Sequence, residues 1–207
     1  RFGHWKDTGI RIEGKSVNSL SQMFMTMWNL SQSDFDKKLA YEDFLSKDNI
    51  NLQINDHQSY ITPFSDIPQD GENVSENVIL HILYDAKKSI NIITPYLIID
   101  NELFYALSYA AKRGVEVNII IPGIPDKKIP YIVAESHFPS LINVGINIYK
   151  YTKGFSHAKS YTVDDKVTMI GTVNLDYRSL YLHFENAILV YDKNFSNKVN
   201  QDFSDTL

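Results

Sequence analysis

Strand-like and helix-like segments alternate regularly after residue 73 of this chain. Apolar runs at 90–94 and 115–121 predict buried strands, and periodic apolar residues predict helices over 74–88 and 101–113. The same order continues with a helix over 131–142 and strands over 144–149, 159–163, 167–171 and 184–191. Alternation of this kind indicates an α/β fold, which we predict to be a layered α-β-α sandwich with a mixed, largely parallel sheet.

The first 60 residues follow a different pattern. Alternating apolar and polar side chains over 8–13 predict a strand, and apolar residues at three- and four-residue steps over 16–28 predict an amphipathic helix. The stretch from Pro63 to Gly71 is rich in turn-forming residues and predicts a loop. We therefore predict a boundary near residue 60, which separates 1–60 from 61–207.

Composition excludes several classes of site. The chain has no cysteine, which rules out disulfides and thiolate metal ligands. Its net charge of -5 argues against a surface that holds nucleic acid by its phosphates. No apolar run approaches the roughly 20 residues of a membrane-spanning helix.

The chemistry is concentrated where a predicted strand begins. His157 and Lys159 are two residues apart, so a strand there places an imidazole and an ammonium on one face. Neutral histidine can attack phosphorus or transfer a proton, and lysine supplies positive charge to phosphate oxygens. The spacing therefore predicts a site for a phosphate ester.

Four further residues are candidates for the same site. Thr172 and Asn174 follow the next strand and are predicted to donate hydrogen bonds to phosphate oxygens. Either Asp164 or Glu185 could orient an imidazole through its second ring nitrogen. Asp164 also belongs to an Asp-Asp-Lys sequence that is common in hairpin turns. The other histidines are interpreted as ordinary surface or core residues: His4, His57, His81, His137 and His183.

These residues form the pattern H-x-K-x4-D followed by G-[ST]-x-N, which resembles the signature of the phospholipase D superfamily. The trailing element is Gly171, Thr172 and Asn174, and Glu185 matches the downstream acidic residue of the family. Threonine stands at 172 where many members have serine. The resemblance implies that His157, Lys159 and Asp164 are catalytic, that Thr172 and Asn174 bind the substrate phosphate, and that Glu185 supports them.

The resemblance to bacterial cardiolipin synthases covers nearly the whole chain. It is carried by residues 2–8, 11–14, 94–96, 110–115, 154–159, 174–179 and 184–185. Two departures are Ile99-Asp100 in place of Pro-Asp, and the absence of Ser-Gly-Pro near Ser65.

Members of this family build their pocket from two such motifs, whereas this sequence contains one. His4 and Lys6 have the letters of a second motif, but Arg11 stands where its aspartate belongs. We therefore expect a C-terminal fragment, in which 1–60 is the tail end of the N-terminal phospholipase D-like half and 61–207 is the C-terminal catalytic half. The first motif and any membrane anchor are expected to lie outside it.

The resemblance implies a reaction that joins two phosphatidylglycerols into cardiolipin and releases glycerol through a phosphohistidine, without a metal or other cofactor. The residues do not determine which histidine is the nucleophile; the resemblance favours the histidine of the other motif, with His157 as the acid and base. The expected partners are phosphatidylglycerol and other phospholipids, the membrane surface, and the N-terminal half or a second copy in a twofold dimer. The parent protein is expected at the cytoplasmic membrane, and the fragment is expected to be soluble and inactive alone.

Two alternatives stay open. One is a phosphodiesterase, nuclease or phospholipase D of the same superfamily, against which the acidic charge and the cardiolipin synthase-like segments argue. The other is a non-catalytic lipid-binding module, against which the intact motif argues.

Overall fold

A computed structural model describes residues 4–34, 37–44 and 59–207. The helices are α1 Ser16–Ser31, α2 Val74–Asp85, α3 Asn101–Lys112, α4 Lys128–Asn143, α5 Tyr177–Tyr181 and α6 Lys193–Thr206, with a 3-10 turn at Tyr41–Asp43. The strands are β1 His4–Lys6, β2 Tyr60–Asp66, β3 Ser89–Ile93, β4 Leu97–Ile98, β5 Glu116–Pro122, β6 Asn147–Tyr151, β7 Gly154–Ser156, β8 Ser160–Val163, β9 Val167–Gly171, β10 Leu175–Asp176 and β11 Glu185–Tyr191. The strands and helices predicted between residues 74 and 191 are confirmed within a few residues.

The main sheet has seven strands in the order β2-β11-β9-β8-β3-β5-β6. It is mixed, as predicted, but in the part of the chain that the structure describes only two of its six pairings are parallel, β3 with β5 and β5 with β6. The expectation of a largely parallel sheet was therefore wrong. Helical crossovers join β3, β5 and β6 in parallel, whereas a tight turn joins β8 to β9 and makes that pair antiparallel.

Helices cover both faces of this sheet, which confirms the layered sandwich. Leu83, Leu107 and Leu141 of α2, α3 and α4 belong to one core cluster with Ile92 and Ile119 of the sheet. The opposite face packs on α6, where the core residues are Phe203, Ile93, Ile120, Tyr151 and Ala158. Successive strand residues point to opposite faces, so Ile92 and Ile93 lie in different layers.

The N-terminal segment differs from the prediction. Residues 8–13 form no strand, and the strand lies instead at β1, which pairs in parallel with β7. β2 occupies part of the predicted loop and pairs with β11. Proline is tolerated in β2 because this is an edge strand, where one side of the backbone needs no partner. The boundary near residue 60 stays a prediction.

Gly154 permits the close approach of β1 to β7. A side-chain carbon at this position would lie 1.8 Å from the carbonyl oxygen of His4. Only glycine therefore lets the ladder form with His4 opposite residue 154.

In the part of the chain that the structure describes, no helix has both the length and the apolar character needed to cross a bilayer.

Candidate active site

Strand register brings the predicted site residues other than Asp164 to one edge of the main sheet. Ser160, the first residue of β8, lies opposite Ile93 in β3 and Ile170 in β9. The segments immediately before β8, after β9 and after β3 therefore meet. Lys159, Asn174 and Tyr96 lie in these three segments.

Asp7 is the carboxylate that contacts His157. In the β1-β7 ladder Lys6 lies opposite Ser156, and the amide of His157 donates to the carbonyl of Lys6 at 2.7 Å. The next residues on the two strands are therefore neighbours, and Nδ1 of His157 lies 3.1 Å from Oδ2 of Asp7. Sequence reasoning missed Asp7, whose one signal was its place in a segment similar to cardiolipin synthases.

Lys159 completes the arrangement around the imidazole. Its Nζ lies 2.9 Å from Nε2 of His157 and donates to the carbonyl of the same residue at 2.6 Å. An ammonium can only donate, so Nε2 carries a lone pair and Nδ1 carries the proton that is donated to Asp7. The imidazole is thus held with its basic nitrogen on the Lys159 side.

The ammonium group of Lys159 is largely shielded from solvent. The residue is 6% exposed. Burial lowers its pKa to about 8, and Asp7, Glu185, Asp176 and Asp126 oppose the shift through their negative charges. At neutral pH the side chain is still mostly charged and can stabilise an anionic oxygen.

Glu185 lies at the centre of a second hydrogen-bond network, and it does not bind His157. The Ser179 hydroxyl donates to Oε1 at 2.9 Å, the Thr172 hydroxyl donates to Oε2, and Nδ1 of His183 lies 2.9 Å from Oε1. Asn174 donates through Nδ2 to the Ser179 hydroxyl at 2.8 Å. Glu185 is 5% exposed, so these partners stabilise a carboxylate that has little water around it.

This network forms one wall of a cavity of about 480 Å³. Other lining residues are Tyr96, Lys127, Asp176, Tyr177, Arg178 and Leu182. The Tyr96 hydroxyl donates to Asp126 at 2.7 Å, and burial together with this bond raises the pKa of Tyr96. The cavity thus combines a few fixed polar groups with apolar walls, as sites for small molecules do.

The structure places Asp164 away from the imidazole, in the turn between β8 and β9. Its backbone is left-handed, with φ of 55°. Its carboxylate accepts from the amides of Lys87 at 2.8 Å, Lys88 at 2.7 Å and Ser89 at 3.0 Å. These three amides engage the carboxylate in fixing the turn to the start of β3, which gives Asp164 a structural role, and its catalytic role stays a prediction.

Of the two predicted phosphate-binding residues, Thr172 has an unexpected hydrogen-bond partner. The proton of the Thr172 hydroxyl is used by Glu185, so Thr172 supports the carboxylate and is not assigned to the phosphate. Asn174 lines the cavity and keeps its proposed role.

The remaining histidines divide into three groups. His183, interpreted from sequence as an ordinary residue, lines the cavity beside Glu185. His4, His81 and His137 lie on β1, α2 and α4. His57 lies outside the described residues.

One group of carboxylates among the described residues has a spacing that suits a metal ion. Ligand atoms of Glu76, Asp100 and Glu102 lie within 4.8 Å of one another. The Tyr181 hydroxyl lies 2.5 Å from Oε1 of Glu76 and also bonds to Asp100, and burial raises the pKa of Glu76. The Tyr181 hydroxyl thus contacts two of these three acids, and no metal is assigned to them.

The family-model match and the similar curated proteins agree with one another. Residues 79–207 match the family described as cardiolipin synthase, PLD-like domain. An uncharacterised protein of Streptococcus mutans is 44% identical over 207 residues, which are 100% of this chain and 43% of that protein. A cardiolipin synthase of Clostridium perfringens is 37% identical over 203 residues, which are 98% of this chain and 42% of the enzyme.

The fold is also found among solved structures. Nuc, a phospholipase D family member from Salmonella typhimurium, superposes with a TM-score of 0.59 at 21% identity, covering 72% of this chain and 94% of Nuc. This likeness supports the fold, and the sequence matches identify the family. The chain belongs to the cardiolipin synthase family of phospholipase D-like proteins.

Proposed function

We propose that this chain provides one of the two catalytic motifs of an enzyme that forms cardiolipin from two molecules of phosphatidylglycerol. The observation that carries the proposal is the imidazole of His157, held between the carboxylate of Asp7 and the ammonium of Lys159. The family match supports phosphatidylglycerol as the substrate.

In the first step, a histidine of the other motif attacks phosphorus, and the bond from phosphorus to the glycerol oxygen breaks as a phosphorus-nitrogen bond forms. His157 takes up a proton from solvent at Nε2 once Lys159 turns from the imidazole to the phosphate, and it gives this proton to the departing oxygen. Asp7 stabilises the imidazolium through Nδ1, and Lys159 stabilises negative charge on the phosphate oxygens.

In the second step, the neutral imidazole takes a proton from the hydroxyl of the second phosphatidylglycerol. That oxygen forms a bond to phosphorus, and the phosphorus-nitrogen bond breaks. His157 thus ends the cycle protonated, as it was before the first displacement. One group serves as acid and then as base because the two displacements run in opposite directions.

The chain spans about two fifths of the length of the curated relatives that it matches. We propose that the other motif comes from the remainder of a longer polypeptide, or from a second copy in a twofold dimer. Asp7, which we assign to the N-terminal half, binds the His157 imidazole of the C-terminal half. By the same symmetry, we propose that Glu185 serves the histidine of the other motif.

The parent enzyme is proposed to act at the cytoplasmic membrane, because both of its substrates are lipids. Hydrolysis of a phospholipid or of another phosphodiester is the second candidate, since the same histidine chemistry can transfer the phosphoryl group to water. A non-catalytic lipid-binding role is the third.

The test is product analysis with the full-length polypeptide that carries this chain. It is incubated with vesicles of phosphatidylglycerol labelled in the glycerol head group. The proposal expects cardiolipin and free glycerol in equal amounts. Glycerol with phosphatidic acid identifies a hydrolase, cleavage of a nucleic acid in place of the lipid identifies a nuclease, and no turnover of either favours the binding module.

A further inference from the structure

Helix α4 presents an apolar face to solvent. Ala134 and Leu141 point into the core, whereas Ile129, Ile132 and Val133 point outward and are 77%, 63% and 36% exposed. These three residues are spaced by three and four positions and therefore lie together on one side of the helix. A contiguous apolar face of this kind usually marks an interaction surface.

This face begins beside the mouth of the cavity. Lys127 and Pro130, at the start of α4, line the cavity together with Tyr177 and Leu182. The last two side chains are themselves 57% and 65% exposed. Apolar groups that can enter a hydrocarbon phase therefore extend from α4 to the region of α5.

Cations lie among these apolar groups. Lys127, Lys128 and Arg178 are exposed, and none of them takes part in an ion pair among the residues that the structure describes. Among the residues that line the cavity, Lys127 and Arg178 are exposed, whereas the carboxylates Asp176 and Glu185 are buried, so the exposed charge at this place is positive. A basic rim around apolar side chains is complementary to a surface of anionic head groups.

We propose that the rim formed by Ile129, Ile132, Val133, Leu182, Lys127, Lys128 and Arg178 docks onto the surface of an anionic phospholipid bilayer. The proposal rests on the proposed function, since it explains how a bilayer lipid reaches the site. The isoleucines enter the interface, the cations lie at the level of the phosphates, and the cavity mouth faces the head groups. A lipid head group then enters the cavity, which Asn174 and Glu185 line, without leaving the membrane surface entirely.

The apolar part of the rim is tested by vesicle flotation of the 207-residue chain. The vesicles contain phosphatidylglycerol and phosphatidylcholine in equal parts. The Ile129→Asn, Ile132→Asn double variant is expected to bind at least about tenfold more weakly. Ile142→Asn is the matched control, because Ile142 is 56% exposed at the far end of the same helix and should leave binding within about twofold.

The contribution of the cations of the rim to vesicle binding is tested with the Lys128→Gln variant. Binding to the mixed vesicles is expected to fall about fivefold, because one cation near an anionic surface contributes on this scale. Pure phosphatidylcholine vesicles should show no such difference. Lys193→Gln, on α6 behind the opposite face of the sheet, is the matched control and should behave as the unchanged chain does.

Unchanged vesicle binding in the double isoleucine variant overturns the proposal. A change in the size of the particle on gel filtration, with vesicle binding intact, also overturns it in favour of a protein interface. In the full-length polypeptide, the double variant should lose turnover on vesicles and keep turnover of a short-chain, monomeric phosphatidylglycerol. Loss of vesicle binding without any cardiolipin formation by the unchanged enzyme retains the docking surface and removes the proposed function.

Discussion

His157 has two partners of opposite charge, and they determine which of its nitrogens can react. Lys159 donates to Nε2 and Asp7 accepts from Nδ1. The spacing of His157 and Lys159 made this pair predictable from sequence, because two residues in a strand share a face. The carboxylate was not predictable in this way, because Asp7 is 150 residues distant and reaches His157 through a three-residue strand.

Asp7→Asn should lower kcat in the full-length polypeptide by about tenfold to a hundredfold and leave KM nearly unchanged. The amide retains the size of the side chain but no longer stabilises the imidazolium. Asp202→Asn is the matched control, since Asp202 binds Lys6 of the same strand and is not a partner of His157. Equal kcat values for the two variants would show that Asp7 has no part in the chemistry.

Lys159 should give kcat/KM an alkaline limb near pH 8. Its pKa in the folded protein is about 8, so raising the pH through this value removes the positive charge that binds the phosphate. Activity is therefore expected to fall on the alkaline side. The pH profile of kcat/KM measures this, because it reports the free enzyme.

Lys159→Arg distinguishes this group from others that titrate nearby. A guanidinium stays charged throughout the accessible range, so the alkaline limb should move to higher pH even if the maximal rate falls. A limb that stays near pH 8 in this variant would assign it to a different residue.

At the scale of elements, apolar strands were predicted correctly and short or polar ones were not. β5, β9 and β11 are buried on both faces over most of their length, and burial of this kind leaves a visible apolar run. β1 is only three residues long, and β2 contains Pro63, so neither has the usual signal of a strand. Both are positioned by their partners β7 and β11, which local sequence cannot show.

The turn between β8 and β9 gives Asp164 the role in a hairpin turn that its Asp-Asp-Lys sequence predicted. The motif requires an aspartate at this place, and the structure uses it to bind three backbone amides at the start of β3. The segment that carries Lys159 is thereby fixed relative to the neighbouring strand. Asp164 thus acts on the site through the position of β8.

Asp164→Ala should lower the free energy of unfolding by about 2 kcal/mol, because amides lose their acceptor and alanine is strained at this backbone conformation. The melting temperature should fall by about 4 to 8 °C. Asp85→Ala, which removes an exposed carboxylate nearby, should change stability by less than about 0.5 kcal/mol.

A kinetic measurement tests whether Asp164 also takes part in the chemistry. Activity per folded molecule, measured well below the melting temperature, should stay within about threefold of the unchanged enzyme. A loss of kcat comparable to that of a His157 variant, with stability unchanged, would restore Asp164 to the chemistry.

At the scale of the whole molecule, the site is built from distant parts of the sequence. Asp7 is near one end of the chain, the motif follows residue 154, and Glu185 faces the cavity from β11. The family and the class of fold followed from the motif, whereas the pairing of carboxylates with imidazoles required the tertiary structure. In the proposed arrangement, each half supplies the carboxylate that contacts the histidine of the other half. Each half therefore depends on the other for its activity.

The catalytic role of His157 is tested by measuring phosphatidylglycerol turnover in vesicles by the full-length polypeptide and by its His157→Ala variant. The 207-residue chain is assayed beside them. We predict cardiolipin and glycerol from the unchanged polypeptide, a loss of at least about a thousandfold in the variant, and no turnover by the chain alone. Full activity in the variant would contradict the assignment of His157, and with it the account of the site.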